Sequence, residues 1–501
     1  MMNSKSKNIV YFYEKFKAFL LVFLMMLCIV QIGILWSSQS GSFPISLFSN
    51  LKSSSPTSID ESKSEYLLPY RVVISTGFDG EHYLIPNGSN EYKTLWKGAK
   101  EYIRQALVNK PKQIQPFTQD AWGTLVANKP YTFEFKTQIP IDIIKWTLDD
   151  IKTPAGEGLA GIYKVVICPD DADNSYSDTL YIRDNKNIYT YEIKNYTSNA
   201  LDKDEFSEIY TKMQSNTDVK PYQMAIEKLR KFPISLDLLG IFSGKKSEES
   251  YPNITCQPIE GLADTEYTYE NLNKMAQDLF GNATNNYDPD LDVNGSVVFK
   301  KGDGVYRLYK NSILEYRFTG IQGIVYKPSV LEAYKKAIAF ILEHRSQNNI
   351  MSNVSVYLNS YEEKQGSYIF KFDYSVTLGE GKGEIPIILK DYQIPIPNST
   401  NKLDNSISIE ASSRNVLHFE WLALKFKVDK RLENYEWNFG DMYEKVYKNN
   451  VELKKEEFSV KDFGIYYVLN YPKMQEHSIT PSFVLFTKAG RYDITMEGNN
   501  K

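Results

Sequence analysis

The chain has 501 residues, 42% of them hydrophobic and 14% aromatic with 37 tyrosines, which is enough apolar material for several packed cores. A formal net charge of −4 and the lack of a basic block after residue 52 argue against nucleic-acid binding, which leaves a clustered positive footprint. Three cysteines, Cys28, Cys168 and Cys256, exclude a disulfide framework, and whether Cys168 and Cys256 pair cannot be read from the sequence.

Residues 1–17 form a short tail carrying Lys5, Lys7, Lys15 and Lys17. From Ala18 to Trp36 the chain is uncharged and apolar apart from Gln31 and Gly33. At about 1.5 Å per residue a helix over 18–36 spans roughly 28 Å, the thickness of a bilayer's hydrocarbon core. Lysines on one side only place the tail in the cytoplasm and all that follows outside a cell membrane crossed once. A cleaved signal peptide has a shorter apolar core and a small-residue cleavage site, and the exit Leu35-Trp36-Ser37-Ser38 offers no such site. A retained anchor is therefore the reading preferred here. Gln31, with Cys28 and Gly33 nearby, is a candidate for contact with another membrane helix, although an amide snorkelling toward headgroups from the outer end is the plainer reading.

Residues 37–65 are serine-rich, with Pro44 and Pro56, and read as a linker. Three α+β domains follow, at 66–216, 217–326 and 327–501. In the first, Tyr70–Ser75 reads as a strand. Tyr92, Leu95, Trp96, Ala99, Tyr102, Ile103 and Ala106 then recur at helical spacing. Strand patterns follow at Tyr131–Lys136, Gly161–Cys168, Thr179–Arg183 and Ile188–Ile193, the last two turning at Asp184-Asn185-Lys186. A helix near Asp204–Met213 closes the domain.

The second domain has a helix near Tyr267–Phe280 and a meander of three strands over 295–318. In the third, Pro328 suits the first turn of a helix running to about Arg345. Strands are expected at Val354–Leu358, Ser367–Thr377, Ile385–Lys390, Ser406–Glu410 and Val416–Val428. A short helix over Phe439–Val446 and a final pair of strands complete the chain. The fold class is α+β: one N-terminal transmembrane helix, then a multi-domain ectodomain of mostly antiparallel sheets with packed helices.

Motifs that carry chemistry are scarce. His82, His344, His418 and His477 lie far apart, and no hydrolase nucleophile motif occurs. Gly379-Glu-Gly-Lys-Gly383 lies between strands and opens no helix, so it reads as a hairpin loop rather than a phosphate cradle. From Asp290 the chain matches the opening of a calcium loop, with Asp290, Asp292 and Asn294 as oxygen ligands before Gly295. Position twelve is Lys301 where a bidentate glutamate belongs, so an acidic turn into the meander is the plainer reading. The clusters Asp149-Asp150 and Asp170-Asp171-Asp173 fall at loops. No cofactor is expected.

Several segments carry a resemblance: the anchor ending in Leu35-Trp36 with its short linker, Leu68-Pro69-Tyr70-Arg71-Val72-Val73-Ile74-Ser75 and Asn90-Glu91-Tyr92 with Leu95-Trp96. To these add Leu279-Phe280-Gly281, Asp288-Pro289, Gly302-Asp303-Gly304-Val305-Tyr306, Leu314–Phe318 and Gly383-Glu384-Ile385-Pro386-Ile387. Together, over about Phe16 to Val428, they resemble the YycH family, membrane-anchored regulatory proteins of the WalK/WalR cell-wall two-component system of low-GC Gram-positive bacteria. The resemblance implies a non-enzymatic protein that contacts a sensor histidine kinase through its membrane helix and ectodomain, together with a YycI-like membrane protein. It does not give the sign of regulation or a role for the chain after Val428. The alternative is a membrane-anchored cell-wall enzyme or polymer-binding module, which requires a converging polar cleft.

Overall fold

The computed structural model describes Lys17 and residues 67–496, except 78–79, 128, 149–157, 169–178, 194–202, 217–220, 226–234, 236–237, 241–246, 263–267, 282–287, 293–294, 322–327, 348–349, 352, 380–382, 391–401, 450–459, 471–475 and 488–489. Met1–Pro56 and Thr57–Lys501 are separate units. Of the first, only Lys17 is described, helical and exposed. The Ala18–Trp36 run, with Cys28, Gln31 and Gly33, lies outside the described residues. Among those described, no helix is long and apolar enough to cross a membrane.

The second unit is mixed α+β. Its first part is an antiparallel sheet of β1 (Arg71–Ser75), β2 (His82–Ile85), β3 (Gln113–Pro116), β4 (Tyr131–Pro140), β5 (Gly161–Ile167), β6 (Thr179–Arg183) and β7 (Asn187–Glu192). The spatial order is β2-β1-β4-β5-β6-β7-β3. Between the strands lie α1 (Asn90–Leu107), α2 (Gln119–Ala127) and α3 (Ile141–Thr147), and after them α4 (Lys203–Ser215). The Ser89 hydroxyl accepts from the Tyr92 amide and so caps α1.

Strand alternation sorts this sheet into two faces. Val72, Ile74, Phe133, Phe135, Val165, Ile167 and Ile182 join the main core, beneath apolar residues of α1, α3 and α4. Trp96 of α1, for example, lies edge-on to Phe135. The opposite face is also covered. Val73, Val166 and Ile188 pack there with Trp122 and Leu125 of α2 and with Met224 and Leu239. The last two belong to a short pair, β8 (Gln223–Met224) and β9 (Leu239–Gly240).

The rest of the chain supplies β10 (Ser247–Gln257), α5 (Tyr269–Phe280), β11 (Asp288–Leu291), β12 (Val297–Lys301), β13 (Gly304–Leu308), β14 (Ile313–Phe318), α6 (Val330–Gln347), β15 (Val354–Lys364), β16 (Ser367–Thr377), β17 (Glu384–Lys390), β18 (Ile407–Ala411), β19 (Val416–Leu422), β20 (Lys425–Trp437), α7 (Phe439–Asn449), β21 (Val460–Asn470), β22 (His477–Ile479), β23 (Pro481–Thr487) and β24 (Arg491–Thr495). Twelve of these strands form one sheet, in the order β11-β12-β13-β14-β19-β18-β16-β17-β21-β23-β24 with β15 on β16. Among its described pairs, only β17–β21 is parallel. The strands of residues 217–326 and 327–501 run into one another, because β14 pairs β19 and β10 pairs β20.

The stretch Val416–Val428, expected as one strand, is two. It breaks at Ala423-Leu424, where the Ala423 amide donates to Ser312 O, and the chain leaves β14 and β18 to pair with β10. The two large sheets are held together by α3 against α6, with Trp146 edge-on to Tyr334, whose ring in turn meets Phe370 of β16. A separate aromatic core joins α7 to β20, β21 and β23 through Phe439, Trp437, Phe463 and Phe483.

Candidate functional site

On the covered outer face of the first sheet, the register lines up four charged residues from four adjacent strands. Arg71 of β1 stands opposite Glu134 of β4, Glu134 opposite Lys164 of β5, and Lys164 opposite Arg183 of β6. Cross-strand neighbours on one face lie close enough for their side chains to interact. Here Glu134 forms ion pairs with both Arg71 and Lys164, with the Glu134 and Lys164 side chains only 5% and 2% exposed. The Arg183 guanidinium lies 3.5 Å from the Phe117 ring centre, and the Lys164 ammonium 5.2 Å from that of Trp122.

The end of this row opens into a cleft of about 430 Å³ between the first sheet and strands β15, β21 and β23. Among the described residues its cationic lining is Arg71, Lys136, Lys164, Arg183 and Lys461, and the one lining carboxylate is Asp462. Tyr70, Tyr163, Tyr466 and Phe486 supply aromatic walls, and Asn185 and Asn359 polar amides. Asp462 ties the two sheets together, accepting from Arg71 Nη1 and from the Tyr70 hydroxyl, each at 3.1 Å. Burial pushes the Tyr70 hydroxyl well above its ordinary value, offset only in part by Arg71, so the phenol remains a proton donor. The Lys136 ammonium sits 3.7 Å from Asp373 and within 6 Å of the Tyr70 and Tyr466 ring centres. Burial raises the Asp373 carboxyl above its ordinary value, partly countered by Lys136 and by the Asn405 amide.

Three side chains reach the cleft at or beside irregularities in their ladders. In β4 the register jumps between Glu134 and Ile139, so that Lys136 lies in a segment facing the single residue Tyr163. Asn359 is the extra residue where β15 pairs β16, and Lys461 the extra residue where β21 pairs β23. Two other described ladders have such a shift, β10–β20 and β18–β19. A bulge interrupts pleating and re-aims the residue it inserts, whereas Lys136, two residues after Glu134, shares the Glu134 face by plain alternation.

A second polar cluster surrounds Glu315 of β14. Tyr309 and Arg317 donate to it at 2.6 Å and His418 Nε2 lies at 3.1 Å. Burial would push this carboxyl up, but the hydrogen bonds from His418, Tyr309 and Arg317 outweigh it and hold it at about 2. The cluster is a hydrogen-bonded network on one face of the β13–β14–β19 sheet.

Of the residues singled out from sequence, Asp290 is exposed in β11 and Asp292 directly follows that strand, with its carboxylate 3.2 Å from Arg307 Nε. Asn294 lies outside the described residues, among which no group of three or more His, Cys, Asp or Glu is placed to hold a metal ion. Asp149-Asp150 and Asp170-Asp171-Asp173 also lie outside them. His82 and His344 are buried, and His344 Nδ1 is 2.8 Å from Phe340 O within an aromatic cluster. Gly383 connects β16 to β17 at φ +81°, and a Cβ there would meet Pro86 at 2.7 Å, so glycine is required by a close approach to the first sheet. Cys168 and Cys256 are both buried, in different cores, with no disulfide between them.

The cleft residues were not singled out by sequence reasoning. In Tyr131-Thr-Phe-Glu-Phe-Lys136 and Gly161-Ile-Tyr-Lys-Val-Val-Ile167 the charges fall on the polar side of an alternating pattern, which reads as a solvated face. The available signal was that Val73 and Val166, apolar, share that side with Arg71 and Lys164.

The fold and cleft define a class: a two-sheet α+β body with its polar site between the sheets and no motif of a known catalytic type. No protein-family model matches the sequence, and no curated protein matches it. Among solved structures, the crystal structure of YycH from Bacillus subtilis aligns over 86% of this chain and 96% of its own, at TM-score 0.52 and 13% identity. An uncharacterized protein from Eubacterium rectale aligns over 53% of this chain and 86% of its own, at TM-score 0.27 and 12% identity. The chain has a YycH-like fold.

Proposed function

We propose that this chain is a non-enzymatic regulator that modulates a cell-wall-sensing histidine kinase from outside the membrane. It acts through the 18–36 helix and the folded body, alongside a YycI-like membrane protein. The observation that carries this reading is the YycH-like fold over 86% of the chain. The cleft chemistry supports it: Glu134 is clamped between two cations and Asp462 is held by Arg71 and Tyr70, so neither is poised to move a proton. A partner with unequal affinity for two receptor states shifts their populations without any chemical step. Membrane crosslinking followed by mass spectrometry of captured partners tests it, together with replacement of Ala18–Trp36 by an unrelated anchor. A histidine kinase is expected among the crosslinked proteins, and the swapped anchor is expected to alter kinase output. Normal signalling by the swapped protein with no kinase captured would refute the helix-contact mechanism.

The polar cleft favours a second reading, a membrane-anchored module that binds wall polymer. Retention of the wild-type chain on purified peptidoglycan, with no effect on kinase output, would select it.

A further inference from the structure

We propose that the cleft between the two sheets is a binding site for a phosphate ester, with Lys136 and Lys461 holding the phosphate. Its volume, about 430 Å³, is that of a small-molecule site. Lys461 is exposed at the rim and forms no ion pair with any described residue. Lys136 pairs with Asp373 at 3.7 Å, and an ammonium has three protons, so others are left to donate.

The bulges are the second, independent observation. Two of the five ladder irregularities among the described strands place a cleft side chain, Asn359 or Lys461, at the extra position of a bulge, and Lys136 reaches the cleft from the Glu134 face of β4, beside a third. Regular pairing would have been simpler to build, and bulges recur where a strand must aim a group at a site.

Phosphate fits better than carboxylate. A planar carboxylate is best matched by one arginine fork, and the fork of Arg71 is already committed to Glu134 and Asp462. Lysines act as point charges, and ammonium groups arriving from separate strands, with the Asn359 amide, suit the several faces of a tetrahedral oxyanion. The rings of Tyr70, Tyr466 and Phe486 leave an apolar wall for the organic part of the ester. The site goes beyond both functional readings above, and binding is measured without kinase or wall, so its failure leaves the regulatory reading standing.

Calorimetric titration of the purified full-length chain in non-ionic detergent tests it, with glycerol 3-phosphate as ligand and glycerol as control. Glycerol 3-phosphate is expected to bind at one site, weaken as salt is raised, and lose affinity about tenfold in Lys461→Gln and in Lys136→Gln. Lys461→Gln alters an exposed side chain and is expected to melt as the wild type does, so its loss of binding does not reflect unfolding. Phosphatidylglycerol added to the micelles, with phosphatidylcholine as control, distinguishes the source. Displacement of glycerol 3-phosphate assigns the site to a lipid headgroup, and its absence assigns it to a free ester. No binding of glycerol 3-phosphate, equally tight binding of glycerol, or wild-type affinity in Lys461→Gln overturns the proposal.

Discussion

Replacing Glu134 with glutamine removes one charge from the centre of the row that runs from Arg71 to Arg183. Two cations then lose their shared counter-ion in a place water barely reaches, since the Lys164 side chain is 2% exposed and that of Arg71 15%. Breaking a buried ion pair by removing one partner costs about 3–5 kcal/mol, because the remaining charge stays desolvated. Arg71 keeps Asp462 at 3.1 Å and glutamine still offers an acceptor oxygen, so the cost is expected near the lower bound, about 3 kcal/mol, most of it at Lys164. Adding Lys164→Met removes the stranded charge. The double variant is therefore expected to be more stable than the sum of the single changes by about 1–3 kcal/mol. Urea unfolding followed by tryptophan fluorescence measures both quantities, with Trp122, 5.2 Å from the Lys164 ammonium, among the reporters. A Glu134→Gln protein within about 0.5 kcal/mol of wild type, or strictly additive double-variant energies, would refute the view that this row is an electrostatic unit.

Acid sensitivity is expected at Glu315. Its folded value of about 2 lies below the ordinary 4.5, so it contributes up to about 3 kcal/mol of stability above pH 4.5, lost as pH falls from there toward 2. The stability gap between wild type and Glu315→Gln should close over that window, and a gap independent of pH would contradict the assignment. Thiol chemistry gives the other expectation. Burial pushes the Cys256 thiol up to about 12, and both Cys256 and Cys168 are buried, so neither should be labelled by an aromatic disulfide reagent until denaturant is added. Rapid labelling of either in the native protein would show that its core opens.

Much of the fold can be read locally. The stripe of Tyr92, Leu95, Trp96, Ala99, Tyr102, Ile103 and Ala106 writes α1 within a few turns, and Asp184-Asn185-Lys186 marks the β6–β7 hairpin. The short helices α2 and α3 escape such reading. Seven to nine residues hold too few turns of pattern, and both form because Trp122 and Trp146 find partners distant in sequence. Strand β10 is hidden for a related reason: Ser247-Glu-Glu-Ser-Tyr-Pro-Asn is a polar stretch whose ladder partner, β20, lies far along the chain.

By itself, the sequence determined the helices with full apolar stripes, the tight hairpins and the uncharged run from Ala18 to Trp36, because each is set by residues within a turn or two of one another. Only the tertiary structure decided the site. Arg71, Glu134, Lys164 and Arg183 meet through strand register, and Asp462 and Lys461 join them from the other sheet, 391 residues beyond Arg71 in the case of Asp462. Alternation fixes which face a side chain takes. Whether that face meets water or another sheet depends on how distant segments pack, and no local pattern carries that information.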